Sequence, residues 1–136
     1  MIGLDTNVLV RFLVQDDRAQ AALATARIGA LTEADPGFVS REVQVELVWV
    51  LERAYGLPRA EVARALEGLL EAQELVVEAS DRTAIAADRY HKGGPGFADQ
   101  MVALAGQGAG CTTTLTFDRK AARIPGMRAL EAETGH

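Results

Sequence analysis

Short apolar runs alternate along this chain with Ala-rich helical stretches, and that alternation most constrains its fold. Met1–Leu4, Phe38–Val39, Leu75–Glu78, Gly110–Thr116 and Met127–Leu130 read as strands, the fourth rich in β-branched residues. Between them, helices are expected over Asn7–Val14, Asp17–Leu31, Arg41–Tyr55, Pro58 to about Ala72, Ser80–His91, Phe97–Gly108 and, briefly, Asp118–Ala122. Ser40 and Ser80 are suited to cap the helices they precede. Gly56 suits a helix end. Strands separated by helices need crossover connections, so the pattern predicts a mostly parallel sheet sandwiched between helices. In such folds ligands sit beyond the carboxyl ends of the strands, where the strand order switches. Asp5 lies just past the first strand, and Thr116 and Asp118 end a late one. If those two strands are neighbours, their acids converge.

The 136 residues share one texture, with no repeat or linker, and are expected to form a single domain over 1–136. A composition 49% hydrophobic and 24% charged excludes a disordered tail, a collagenous chain and a disulfide scaffold. No apolar run approaches the roughly 18 residues of a membrane span. The start, MIGLDTN, has no basic leader. The one cysteine, Cys111, excludes an internal disulfide and a cysteine-based zinc site, and its setting suggests a small buried hydrophobe. These features predict a soluble cytoplasmic protein with no membrane partner. The net charge of −5 argues mildly against non-specific nucleic-acid binding. Yet Arg89–Arg128 holds six bases against two acids, +4, which leaves −9 for the rest and allows a local basic face.

Four acids stand out. Asp5, Asp99 and Asp118 each have a structural explanation, Asp5 and Asp118 as helix caps and Asp99 as a first-turn acid favoured by the helix dipole. Glu46 is harder to dismiss. At about 100° per residue, the apolar stripe of its helix (Val43, Leu47, Val50, Leu51, Ala54) centres about 80° from Glu46, which puts the acid at the stripe's edge. A carboxylate there is costly unless paired, and Arg41 and Arg53 are the candidate partners. Gathered in one pocket, four carboxylates repel unless a cation holds them. Hard oxygen donors of this kind suit Mg²⁺ or Mn²⁺. Thr116, two residues before Asp118 on a strand, points the same way and offers a hydroxyl. Asn7 is a similar polar helper near Asp5.

These residues carry a resemblance. Met-Ile-Gly-Leu-Asp5-Thr6-Asn7-Val-Leu-Val, then Val45-Glu46-Leu47-Val48-Trp49-Val50-Leu51, then Phe97-Ala98-Asp99, then Thr114-Leu115-Thr116-Phe117-Asp118-Arg119-Lys120 resemble, in that order and spacing, the PIN-domain ribonucleases. They resemble in particular the VapC-type toxins of type II toxin–antitoxin pairs. Each motif alone is weak; the four in sequence are fairly specific. The resemblance implies a three-layer α/β/α sandwich around a parallel sheet, Mg²⁺- or Mn²⁺-dependent endoribonuclease activity, a homodimer and a cognate antitoxin. It makes Asp5, Asp99 and Asp118 metal-ligand candidates. Glu46 matches the family's acid on the third helix, and Thr116 its accompanying hydroxyl.

On this reading metal-activated water attacks an RNA phosphodiester in line. Asp5, Glu46, Asp99, Asp118 and Thr116 form the catalytic set, with Arg119, Lys120 and Arg123 as candidate RNA contacts beyond it. A phosphoacceptor domain is the first competing reading, but the early acids are not paired as Asp-Asp and the only lysines are Lys92 and Lys120. A non-catalytic PIN-like module binding RNA or protein is the second. Trp49 falls off the apolar stripe and stays unassigned, as do His91 and His136. Leu9, Phe12 and Leu13 suit either the core or a dimer surface.

Overall fold

Strand β1 (Ile2–Gly3) ends where Asp5 starts helix α1 (Thr6–Val14), so the first acid sits at a strand-to-helix junction. The computed structural model describes residues 1–131; His136 lies outside them. Helix α2 (Arg18–Gly29) returns along α1, and strand β2 (Gly37–Val39) follows. Ser40 Oγ accepts from Val43 N at 3.2 Å and caps α3 (Arg41–Arg53), as its sequence position predicts. Gly56, at φ +61, ends that segment in the left-handed turn for which glycine is suited. Helix α4 (Arg59–Glu71), strand β3 (Leu75–Val77), helix α5 (Ser80–His91) and helix α6 (Phe97–Gly108) come next. Strand β4 (Thr114–Thr116), a 3₁₀ turn (Ala121–Arg123) and strand β5 (Met127–Ala129) complete the described chain.

All strand pairs are parallel, in the order β1-β2-β3 and, separately, β4-β5. Helices flank this sheet, giving the PIN-like α/β/α arrangement. Among the described residues β1 and β4 are not hydrogen-bonded neighbours, so the sheet comes in two pieces. The core joins both sides of the three-stranded sheet: Leu9, Val39, Leu47, Leu51, Val62 and Leu66 are almost wholly inaccessible. Leu9 is core, and Phe12 and Leu13 pack half-buried against it.

Four sequence expectations change. The cap position of α5 is Ala79, held at φ +52, and Ser80 is its first helical residue with no side-chain cap. A buried polar cluster fixes this junction. Gln44 Nε2 donates to Glu78 O at 2.9 Å and Val39 O at 3.2 Å, while Thr83 Oγ1 donates to Gln44 Oε1 and to Ala79 O. The strand expected over Gly110–Thr116 is confined to its last three residues, and Cys111 is exposed rather than buried. Gly110 at φ +88 and the turn bond from Cys111 N to Gly106 O hold that stretch out of a ladder. Finally, the short helix expected from Asp118 is a 3₁₀ turn beginning at Ala121.

Candidate active site

Asp5 is the N-cap of α1, its Oδ1 accepting from Thr6 N at 2.7 Å. Capping uses one oxygen, and Oδ2 has no hydrogen-bond partner among the described residues. Glu46, on α3, reaches the same place: Asp5, Thr6, Asn7, Arg11, Glu46 and Tyr55 line one cavity of about 250 Å³. Neither arginine proposed as a partner for Glu46 takes it. Arg41 pairs instead with Glu78, Nε to Oε1 at 3.4 Å. Arg53 forms no ion pair among the described residues.

Asp99 is the third residue of α6 and is half-buried. An acid in a first turn is stabilised by the helix dipole. Here desolvation dominates, joined by the nearby charge of Asp118, and together they hold the Asp99 carboxyl above its ordinary range. Asp118 ends the segment after β4. Its Oδ1 accepts from Lys120 N at 2.8 Å and Ala121 N at 3.1 Å, so it caps the 3₁₀ turn and leaves Oδ2 free of protein partners. Thr116 Oγ1 accepts from the backbone N of Asp118 at 3.0 Å.

The glycine-rich loop before Asp99 is pinned. Arg59 Nη1 donates to Tyr90 O at 2.9 Å and Gly94 O at 2.6 Å, and its guanidinium lies 4.6 Å from the Tyr90 ring centroid. Tyr90 is itself fully buried, edge-on to Phe97, with its hydroxyl donating to Glu52 Oε2 at 2.8 Å. Burial foremost, then Glu52, pushes the Tyr90 hydroxyl pKa up beyond its usual range. Gly94 passes so close to Arg89 O that a Cβ would meet it at 3.1 Å. The loop therefore fixes where α6 begins, and with it Asp99.

The structure thus brings the candidate acids together in two pairs, Asp5 with Glu46 and Asp99 with Asp118. Among the described residues no three His, Cys, Asp or Glu side chains gather closely enough to form a metal cluster. Arg119, Lys120 and Arg123 are all exposed beside Asp118. Trp49 is 59% exposed and Val102 52% exposed, and both line an apolar groove that also takes in Glu46 and Ala98. Arg11, Tyr55 and Arg59 were missed by sequence reading; the bonds Arg11–Tyr55, Tyr55–Asp16, Arg59–Tyr90 and Arg59–Gly94 span 31 to 44 residues, beyond any local pattern.

The PIN domain family model matches residues 2–127, a span that holds all four acids. The chain belongs to the PIN-domain family. No curated protein matches it. PIN domains are generally nucleases, hydrolases of phosphodiester bonds, and typically use divalent metal ions. The donor chemistry here fits such an ion. The candidate ligands are all oxygens, and each capping aspartate keeps one oxygen in reserve. A hard ion such as Mg²⁺ commonly uses one or two carboxylates and completes its shell with water, so a pair suffices to hold it. In this PIN domain no helix among the described residues is long and apolar enough to cross a membrane.

Proposed function

We propose that this PIN domain is a Mg²⁺- or Mn²⁺-dependent endoribonuclease, the toxin of a toxin–antitoxin pair. The observation that carries the reading is the mutual proximity of Asp99 and Asp118, two carboxylates with no basic partner between them. Asp5, Asp99 and Asp118 are the residues that would hold the ion. When bound, a divalent cation supplies charge neutralisation at the phosphodiester and lowers the pKa of water.

The chain's own groups supply the rest. Glu46, exposed at the rim of the Asp5 cavity, accepts a proton from water or orients it. The Thr116 hydroxyl, already accepting from Asp118 N, keeps its own proton for a phosphate oxygen or a water. Arg119, Lys120 and Arg123 contact flanking RNA phosphates. Exposed Trp49 and Val102 beside Glu46 give apolar surface to a protein partner, in keeping with an inhibitory antitoxin and a homodimer. An exposed free thiol at Cys111 agrees with a reducing cytoplasmic setting.

One observation favours a second reading. The lack of a three-ligand cluster among the described residues suits a PIN-like module that binds RNA or protein without cutting. Incubating a mixed RNA pool with Mg²⁺, Mn²⁺ or EDTA, for the parent and Asp99→Asn, separates the two. Cleavage that needs metal and disappears in the variant supports the nuclease. RNA bound but left intact under every metal supports the module.

A further inference from the structure

We infer that Arg11 is a preset phosphate anchor on the Asp5–Glu46 side of the site, contacting the RNA backbone that passes over these acids. The inference rests on the nuclease reading and adds to it a cation beside Asp5 and Glu46, besides the Arg119–Arg123 cluster next to Asp118.

Arg11 lies on α1, six residues after Asp5, and lines the cavity that Asp5 and Glu46 share. It is the only cation among the residues lining that cavity. Its ion pair is with neither Asp5 nor Glu46 but with Asp16, outside the cavity lining. Its Nε donates to Gln20 Oε1 at 2.7 Å, and its Nη1 donates to Asp16 Oδ1 at 3.1 Å and Tyr55 Oη at 3.0 Å. Tyr55 Oη in turn donates to Asp16 Oδ2 at 2.7 Å, which closes a ring of three side chains. The ring joins the turn after α1 to the residue just past α3, and Gln20 ties it to α2.

Two consequences follow. The guanidinium is held off Asp5 and Glu46, so their carboxylates stay unpaired and open to a cation. Its Nη2 has no hydrogen-bond partner among the described residues, so two N–H groups remain for a ligand. A planar donor pair fixed in advance suits a phosphate oxygen pair and loses little freedom on binding. A bare anion would be repelled by the neighbouring acids. A phosphodiester chain, whose other phosphates meet Arg119, Lys120 and Arg123, would not.

The test is binding of a fluorescein-labelled single-stranded RNA oligonucleotide in EDTA, by anisotropy across a salt series. For single strands the salt slope changes by about 0.7 per phosphate contact. Arg11→Gln is expected to lower the slope by about that amount, while Tyr55→Phe, which breaks the ring but keeps the charge, retains the parental slope. An unchanged slope in Arg11→Gln, or an equal fall in Tyr55→Phe, makes Arg11 a structural pin and overturns the proposal. Phenylglyoxal modification of the parent, read by peptide mass spectrometry, needs no variant to fold: RNA should protect Arg11, and equal labelling with RNA bound also overturns it. A parent that neither binds nor cleaves RNA defeats the nuclease reading and this proposal together. A parent that binds, with Arg11 indifferent, defeats this proposal alone.

Discussion

Desolvation first, and then the nearby charge of Asp118 from the segment after β4, hold the Asp99 carboxyl at the start of α6 above its ordinary range. Two carboxylates from segments nineteen residues apart in sequence are thus held in unfavourable proximity. Nothing in the packing requires Asp99 to be charged there, and the Gly93–Gly96 loop, pinned by Arg59, denies it an easy retreat.

That relationship has a sign. A carboxyl whose folded pKa lies above its unfolded value binds protons more tightly when folded, so its ionised form subtracts stability at neutral pH. The penalty is complete above the raised folded pKa and disappears as pH falls through the unfolded value near 3.8. Asp99→Asn removes the penalty. Its melting temperature in EDTA at pH 7 is therefore expected to exceed the parent's, with the gap closing as pH falls through the carboxylate range. Added Mg²⁺ or Mn²⁺ should raise the melting temperature of the parent more than that of the variant. Scanning calorimetry over pH, with and without metal, checks both signs.

The loop gives the second prediction. Gly94→Ala places a Cβ 3.1 Å from Arg89 O and 3.3 Å from Gln100 Nε2. The amide can swing aside but the carbonyl belongs to the helix end, so the loop must shift, at a cost of about 1–3 kcal/mol. Because the loop sets the start of α6, the proposed nuclease activity should fall more than stability does. Equilibrium urea unfolding alongside cleavage rates distinguishes a misplaced Asp99 from a merely weakened fold.

Much of this was legible from local pattern. Ser40 caps α3 because its side chain needs only a backbone N–H three residues on, and α6 begins and ends at Phe97 and Gly108 where glycines bracket an apolar repeat. The four acids were legible because each stands at an element boundary or at the edge of an apolar stripe. Their partition was not. Whether β1 and β4 lie side by side is a matter of non-local strand pairing, and no periodicity encodes it. Ser80 failed as a cap for a similar reason: the junction is set by Gln44, a fully buried residue whose partners Glu78 and Thr83 lie 34 and 39 positions away. Arg11 was invisible because its position on α1 says nothing of Tyr55.

That buried amide supports a third prediction. Gln44→Leu keeps the volume but removes the amide donor from Glu78 O, while Val39 O keeps its bond from Glu78 N. A stranded buried acceptor costs about 1–3 kcal/mol, and the variant should lose about that much. Gln44→Glu should fare no better, because it replaces the donating amide with a buried charge. Denaturant midpoints measured at one pH check the ranking, and a Gln44→Leu variant as stable as the parent would refute the role given to the cluster.

Asp118 does two things with two oxygens, and substitution can separate them. Oδ1 accepts from Lys120 N and Ala121 N, a task an asparagine carbonyl performs equally well. Charge on the second oxygen, by contrast, is lost in either variant. Asp118→Asn should therefore fold with parental stability, gaining slightly from relief of Asp99, yet lose activity. If the carboxylate helps hold a cation worth several kcal/mol at the transition state, the loss is about a hundredfold or more. Asp118→Ala should lose the same activity and, in addition, about 1 kcal/mol of stability for the missing cap. Equal stability in the two variants would mean the cap contributes nothing. Full activity in Asp118→Asn would remove Asp118 from the metal set and leave Asp5, Glu46 and Asp99 to account for the chemistry.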